Sequence, residues 1–142
     1  MLAMFDFAYQ LAIDLALNYG TTAAARYAST GAVKGTVGTN GNNATNNAAI
    51  STFIANSTGG FLKSSLISVT ATSYGSPSSY AAGSGGSSGS NGSSGSVVVY
   101  TITYTQPFLT GLPTFMARIF HSSALGSGIT HQATVVVQNE PY

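Results

Sequence analysis

The side chains that could do acid–base, nucleophilic or metal chemistry in this chain are few. They are Asp6, Asp14, Glu140, His121, His131, Arg26, Lys34, Lys63 and Arg118, and there is no cysteine. Asp6 and Asp14 lie eight residues apart, about two helical turns, too far for two carboxylates on one helix to share a proton. His121 and His131 flank a Gly126-Ser127-Gly128 turn. Two strands could bring them together as part of a metal site, but no third ligand is suggested nearby, and the simpler reading is loop or strand-edge histidines. A Ser–His–Asp set can be assembled on paper from any serine-rich chain, and no nucleophile elbow is expected. The Gly-rich run from Gly83 to Ser96 lacks the lysine of a phosphate-binding loop and opens no convincing helix. Convergent reactive groups are what an enzyme needs. The expectation is a non-enzymatic protein with no cofactor and no metal.

Composition narrows the class. The 142 residues suit one domain, 1–142, with enough chain to bury a core. The hydrophobic fraction is 44%, whereas charged residues make up only 5%, against about a quarter in ordinary soluble domains. Asn, Ser, Thr and Gly supply the polarity instead. Such a surface takes little solubility from charge repulsion and suits a protein that packs against copies of itself or works outside the cell. A net charge of +1 leaves no basic patch for nucleic acid or for anionic lipid. The glycosylation-type triplets at Asn43, Asn56 and Asn91 are chance matches in so Asn- and Ser-rich a chain.

The elements that must carry any function follow from periodicity. Residues 1–30 read as a helix ending near Gly31, with Asp6, Gln10, Asp14 and Asn18 recurring every fourth residue in one drifting polar stripe. That stripe is read as solvated, or alternatively as a pairing position between subunits. The rest is apolar almost all round, so the helix must be covered on more than one side. It is neither a signal peptide nor a clean membrane span; it fits the lower half of a longer helix whose membrane half lies upstream, with Met1 as a trimmed end. A loop over 35–47 precedes a short second helix at about 47–57, stopped by Gly59-Gly60. Strands are predicted at 66–74, 97–105 and about 130–138. The first two form an antiparallel hairpin whose tip is a flexible Gly/Ser loop, 83–96. A turn and short helix from Pro113 fill the stretch 108–120. Tyr100 and Tyr104 share one strand face, which is either core or an adhesive surface. The fold class is α+β.

The two ends together resemble a known family. Phe5-Asp6-Phe7-Ala8, followed by Thr22-Ala23-Ala24-Ala25-Arg26-Tyr27-Ala28, is similar to the N-terminal region of TadE-like minor pilins, the pseudopilins of the tight-adherence (Flp) pilus. The closing run from Thr130 to Tyr142, with Glu140-Pro141, resembles that family's last strand. The match covers about a third of the chain. It departs from the family in lacking the prepilin-peptidase site and the first half of the membrane helix. The resemblance implies a pilin-like architecture, a long N-terminal helix packed on a small antiparallel sheet. It also implies a subunit acting in assembly of a bacterial surface filament and in adhesion, extracytoplasmic after an inner-membrane-anchored precursor. Its partners would be other pilin subunits, pilus assembly proteins and the inner membrane. Phe5, Asp6, Leu11, Asp14 and Leu15 would carry assembly contacts, and Arg26 and Glu140 would pair to tie helix to last strand. Tyr100 and Tyr104 would serve the alternative, an adhesin or surface-binding module at a filament tip with a host or surface ligand. A main subunit of another extracellular assembly is the other alternative.

Overall fold

The computed structural model describes residues 2–29, 43–109, 119 and 128–140. Helix α1 (Leu2–Ser29) and helix α2 (Asn43–Ser57) cover one face of an antiparallel sheet. Its strands are β1 (Ile67–Tyr74), β2 (Ser87–Ser88), β3 (Val97–Pro107) and β4 (Gly128–Gln138), in the order β2-β1-β3-β4. A short helix, α3 (Pro77–Ala81), lies between β1 and β2. The expected α+β class, with a long first helix on a small antiparallel sheet and a short second helix, is the architecture observed.

Each element starts or stops for a local reason. α2 begins at Asn43, inside the stretch expected to be loop; residues 35–42 lie outside the described residues. It ends in a left-handed glycine cap. Gly59 has φ +64° and donates to Asn56 O at 3.0 Å, and Gly60 donates back to Ala55 O at 2.9 Å. α3 starts where Ser76 accepts from Ser79 N–H at 3.2 Å, with Pro77 in the first turn. β1, β3 and β4 alternate Val, Ile and Ala inward with Thr, Ser and Gln outward, the pattern of a sheet covered on one face.

The core lies between the helices and the inner sheet face. Ile13 and Leu17 of α1, Ile50 and Ile54 of α2, and Ile102 and Tyr104 of β3 are fully buried within it. α1 and α2 cross at Gly20, where a Cβ would come within 2.8 Å of Ile54 Cγ2. That close approach explains a glycine inside a helix. The ring of Tyr27 stacks on Phe53 at 4.5 Å and fixes the same pair of helices further along.

The Gly/Ser run, expected as a flexible hairpin tip, is tied to the rest of the chain at several points. Ser87 and Ser88 pair with Ser73 and Thr72, and Gly89 N–H donates to Ala71 O at 2.7 Å. Asn139, buried just beyond β4, donates through Nδ2 to Asn91 O and Ser93 O, each at 3.0 Å. Its backbone adds bonds to Gly95 and Ser96. These bonds offset the conformational entropy that keeps such sequences loose in isolation. The turn and helix expected over 108–120 lie outside the described residues except at Phe108, Leu109 and Ile119.

Candidate assembly surface

The helical stripe of polar residues faces inward. Asp6 is 4% and Gln10 6% exposed, Asp14 is half-buried and Asn18 is exposed. This corrects the reading of a solvated stripe. The gradient follows from geometry: each step of four residues advances about 40° beyond a full turn, so three steps carry the stripe about 120° around the helix. Buried polar groups need partners. The Leu109 N–H donates to Asp6 Oδ1 at 2.8 Å. His131 of β4 lies between two helix residues, with Nε2 2.7 Å from Gln10 Oε1 and Nδ1 3.5 Å from Asp14 Oδ1. The result is a polar seam joining the first turns of α1 to the far end of the sheet. Gln10 Nε2 is buried there with no hydrogen-bond partner among the described residues.

The opposite side of the same turns is apolar and open. Met4, Phe5, Phe7, Leu11, Leu15 and Tyr19 are all exposed, Phe7 at 73% and Leu15 at 64%. Phe7, Leu11, Leu15 and Tyr19 follow the same four-residue spacing as the polar stripe and share one face with Met4 and Ala8. Phe5, Leu11 and Leu15, expected to carry assembly contacts, are all exposed. Asp6 and Asp14 are turned toward the protein's own sheet. Further along, Asn18, Thr22 and Arg26 take over the outward side, and Leu17, Ala24 and Ala28 occupy the inward side.

The structure reorders three other site expectations. Tyr100 and Tyr104 are in the core, 4% and 1% exposed, so neither offers a ring to a surface ligand. Burial pushes the Tyr100 hydroxyl up to about 12. It also raises Tyr104, whose hydroxyl donates to Gln106 Oε1 at 2.9 Å. Arg26 and Glu140 form no ion pair among the described residues; both are exposed, where pairing two long side chains gains little. The ends they mark do meet, through the backbone, where Glu140 N–H donates to Ser29 O at 3.3 Å. Finally, Gly85-Gly86-Ser87-Ser88-Gly89 does spell the nucleophile-elbow pattern, contrary to expectation. Ser87 lies on β2, paired with Ser73, and not on a strand-to-helix turn, so it lacks the geometry that exposes such a serine.

Sequence reasoning missed the seam's strand partner and the Asn139 clamp. Spacing alone ties neither residue to the groups it meets. Among the described residues no group of three His, Cys, Asp or Glu side chains is placed to hold a metal, and no helix is long and apolar enough to cross a membrane. His121, Lys34 and Arg118 lie outside the described residues. The exposed Lys63 contributes its backbone N–H, 3.5 Å from the Tyr104 hydroxyl.

No protein-family model, curated protein or solved structure matches this chain.

Proposed function

We propose that this chain is a non-enzymatic subunit of a bacterial surface filament, a minor pilin or pseudopilin of the tight-adherence type, which enters the assembly through α1. The observation that carries the reading is the open apolar side of the first turns of α1 over a buried polar seam. A contiguous run of exposed large apolar side chains on a folded domain is the kind of surface that meets a partner. The residues that resemble TadE-like pilins add support: the segments around Arg26 and Glu140 come from opposite ends of the chain and are joined by the Ser29–Glu140 backbone bond. In this reading the subunit works extracytoplasmically, with other pilins and assembly proteins as partners, and adhesion is a property of the filament rather than of Tyr100 and Tyr104.

The test is quantitative mass spectrometry of filaments sheared from cells that express the full-length precursor. A trace of this chain beside an abundant short pilin is the expected result. Complete absence from the filaments, with the protein free in the medium or fixed in the membrane, overturns the reading.

A further inference from the structure

The two edges of the sheet are finished differently. On the β1 side the edge is covered at several points: Val69 O accepts from Asn47 Nδ2 at 3.0 Å, Ala71 O accepts from Gly89 N–H, and Thr72 and Ser73 pair with the two-residue β2. On the other side, β4 runs for 11 residues with β3 as its sole strand neighbour among the described residues. β4 contains no charged side chain and no proline, and its register with β3 runs unbroken from Gly128 to Gln138. Short strands, charges, prolines and bulges are the devices that protect an edge from pairing. β4 has none of them.

The register shows what that edge offers. Asn139 N–H donates to Ser96 O at 2.9 Å, one position beyond the Val97–Gln138 pair. In an antiparallel ladder the bonded positions alternate. The odd-numbered residues from Ile129 to Val137 therefore bond to β3, and the even-numbered residues from Thr130 to Gln138 aim N–H and C=O at the free edge. The side chains of those even-numbered residues are exposed and uncharged.

We propose that this edge pairs antiparallel with the β4 edge of a second copy of the chain. A two-fold axis perpendicular to the sheet then joins two four-stranded sheets into one and keeps both helix layers on the same face. Full overlap puts the axis at Ala133 and sets Gln132 against Thr134 of the second copy, so no like charges meet. The helices support the same occupant. α1 packs mainly against β4, and Gly20, which touches Ile54 of α2, lies about 180° around the helix from Leu11 at about 100° per residue. Leu11, and Phe7 close beside it on the wheel, thus project away from α2, past the β4 edge. The five exposed side chains that share this face, Met4, Phe7, Leu11, Leu15 and Tyr19, at 51–75% exposure, present on the order of 600 Å², taking about 150–250 Å² for a full aromatic side chain; with the paired β4 edge this approaches the roughly 800 Å² per partner of a standard stable interface. The proposal rests in part on the reading of α1 as an assembly surface, and the test separates the two.

The purified chain is examined by sedimentation velocity over a concentration series, and amide exchange of the wild type is followed by NMR in dilute and concentrated solution. The expected result is a reversible dimer whose even-numbered β4 amides slow at least tenfold on concentration. Thr134→Pro, which removes an outward N–H at a position where an edge strand tolerates proline, should weaken the dimer at least tenfold. A wild type that stays monomeric overturns the proposal. So does exchange that is independent of concentration together with a Thr134→Pro dimer of unchanged strength; if Leu11→Glu still abolishes association in that case, the α1 reading survives alone. Loss of the dimer in Thr134→Pro but not in Leu11→Glu leaves the edge pairing standing and takes the α1 stripe out of the dimer interface.

Discussion

From Leu17 to Ser29, α1 turns Leu17, Ala24 and Ala28 to the core and Asn18, Thr22 and Arg26 to water, with Tyr19 as the exposed apolar exception; from Met4 to Asp14 it turns Asp6 and Gln10 inward beside Ile13, and Phe7 and Leu11 outward. Both halves sit on the same sheet, and one continuous helix carries both senses. The C-terminal half is what a solitary domain would choose, because apolar area removed from water contributes about 25 cal/mol per Å². The N-terminal half forgoes much of that gain and relies on hydrogen bonds from Leu109 and His131 to the buried Asp6 Oδ1 and Gln10 Oε1. Such an inversion makes physical sense when the outward side meets another apolar surface. On the proposed reading, one half of α1 serves stability and the other serves contact.

The comparison can be broken by substitutions that treat the halves alike. Leu17 is fully buried, so Leu17→Ala should cost about 2–5 kcal/mol in chemical denaturation, whereas Leu15→Ala on the open face should stay within about 0.5 kcal/mol for the isolated subunit. Equal losses would erase the distinction.

High pH probes the same core, since Tyr100 shares a crevice with Ala24 and Ala28. Its folded-state value of about 12 stands above the ordinary 10.0, so its contribution is complete below pH 10. As pH rises the unfolded chain ionises first, and about 3 kcal/mol should be lost between about pH 10 and 12. Tyr100→Phe should flatten that loss in a denaturation series against pH; an unchanged slope would mean another group is responsible.

At the seam, Asp6→Ala removes the acceptor of the Leu109 N–H and should cost about 1–3 kcal/mol, with Asp6→Asn milder because it can still accept. A melting temperature unaffected by Asp6→Ala would show that the inward polar stripe holds nothing. The smallest effect is expected where the helix end meets the last strand. Glu140→Gln should change stability by less than about 0.5 kcal/mol, because Arg26 does not pair with it. A larger drop would reinstate that ion pair.

Period and turn chemistry made the elements legible. β1 and β3 alternate clearly enough that their starts and the hairpin they form could be read from Leu66–Tyr74 and Val97–Thr105, and Gly59-Gly60 marked the end of α2. The orientation of α1 was not legible. Periodicity tells which residues share a face; it does not tell which face turns inward, and the usual assumption that polar means outward failed at Asp6 and Gln10. Tyr100 and Tyr104 were legible as one face of β3, but their burial depends on α1 and α2 lying above them. Asn139 gave no local signal, because its partners, Asn91 and Ser93, lie far away in sequence and are backbone carbonyls, which any residue would supply.

The most direct test of the outward face is site-specific photo-cross-linking in the proposed filaments. A photoreactive phenylalanine analogue replaces either Leu15, on the open face of α1, or Thr70, on the exposed outer face of the sheet, and the filaments are irradiated. The account predicts cross-links to neighbouring subunits from the Leu15 position and little or none from the Thr70 position. Equal cross-linking at both positions, or none at Leu15 in filaments that contain the protein, would contradict it.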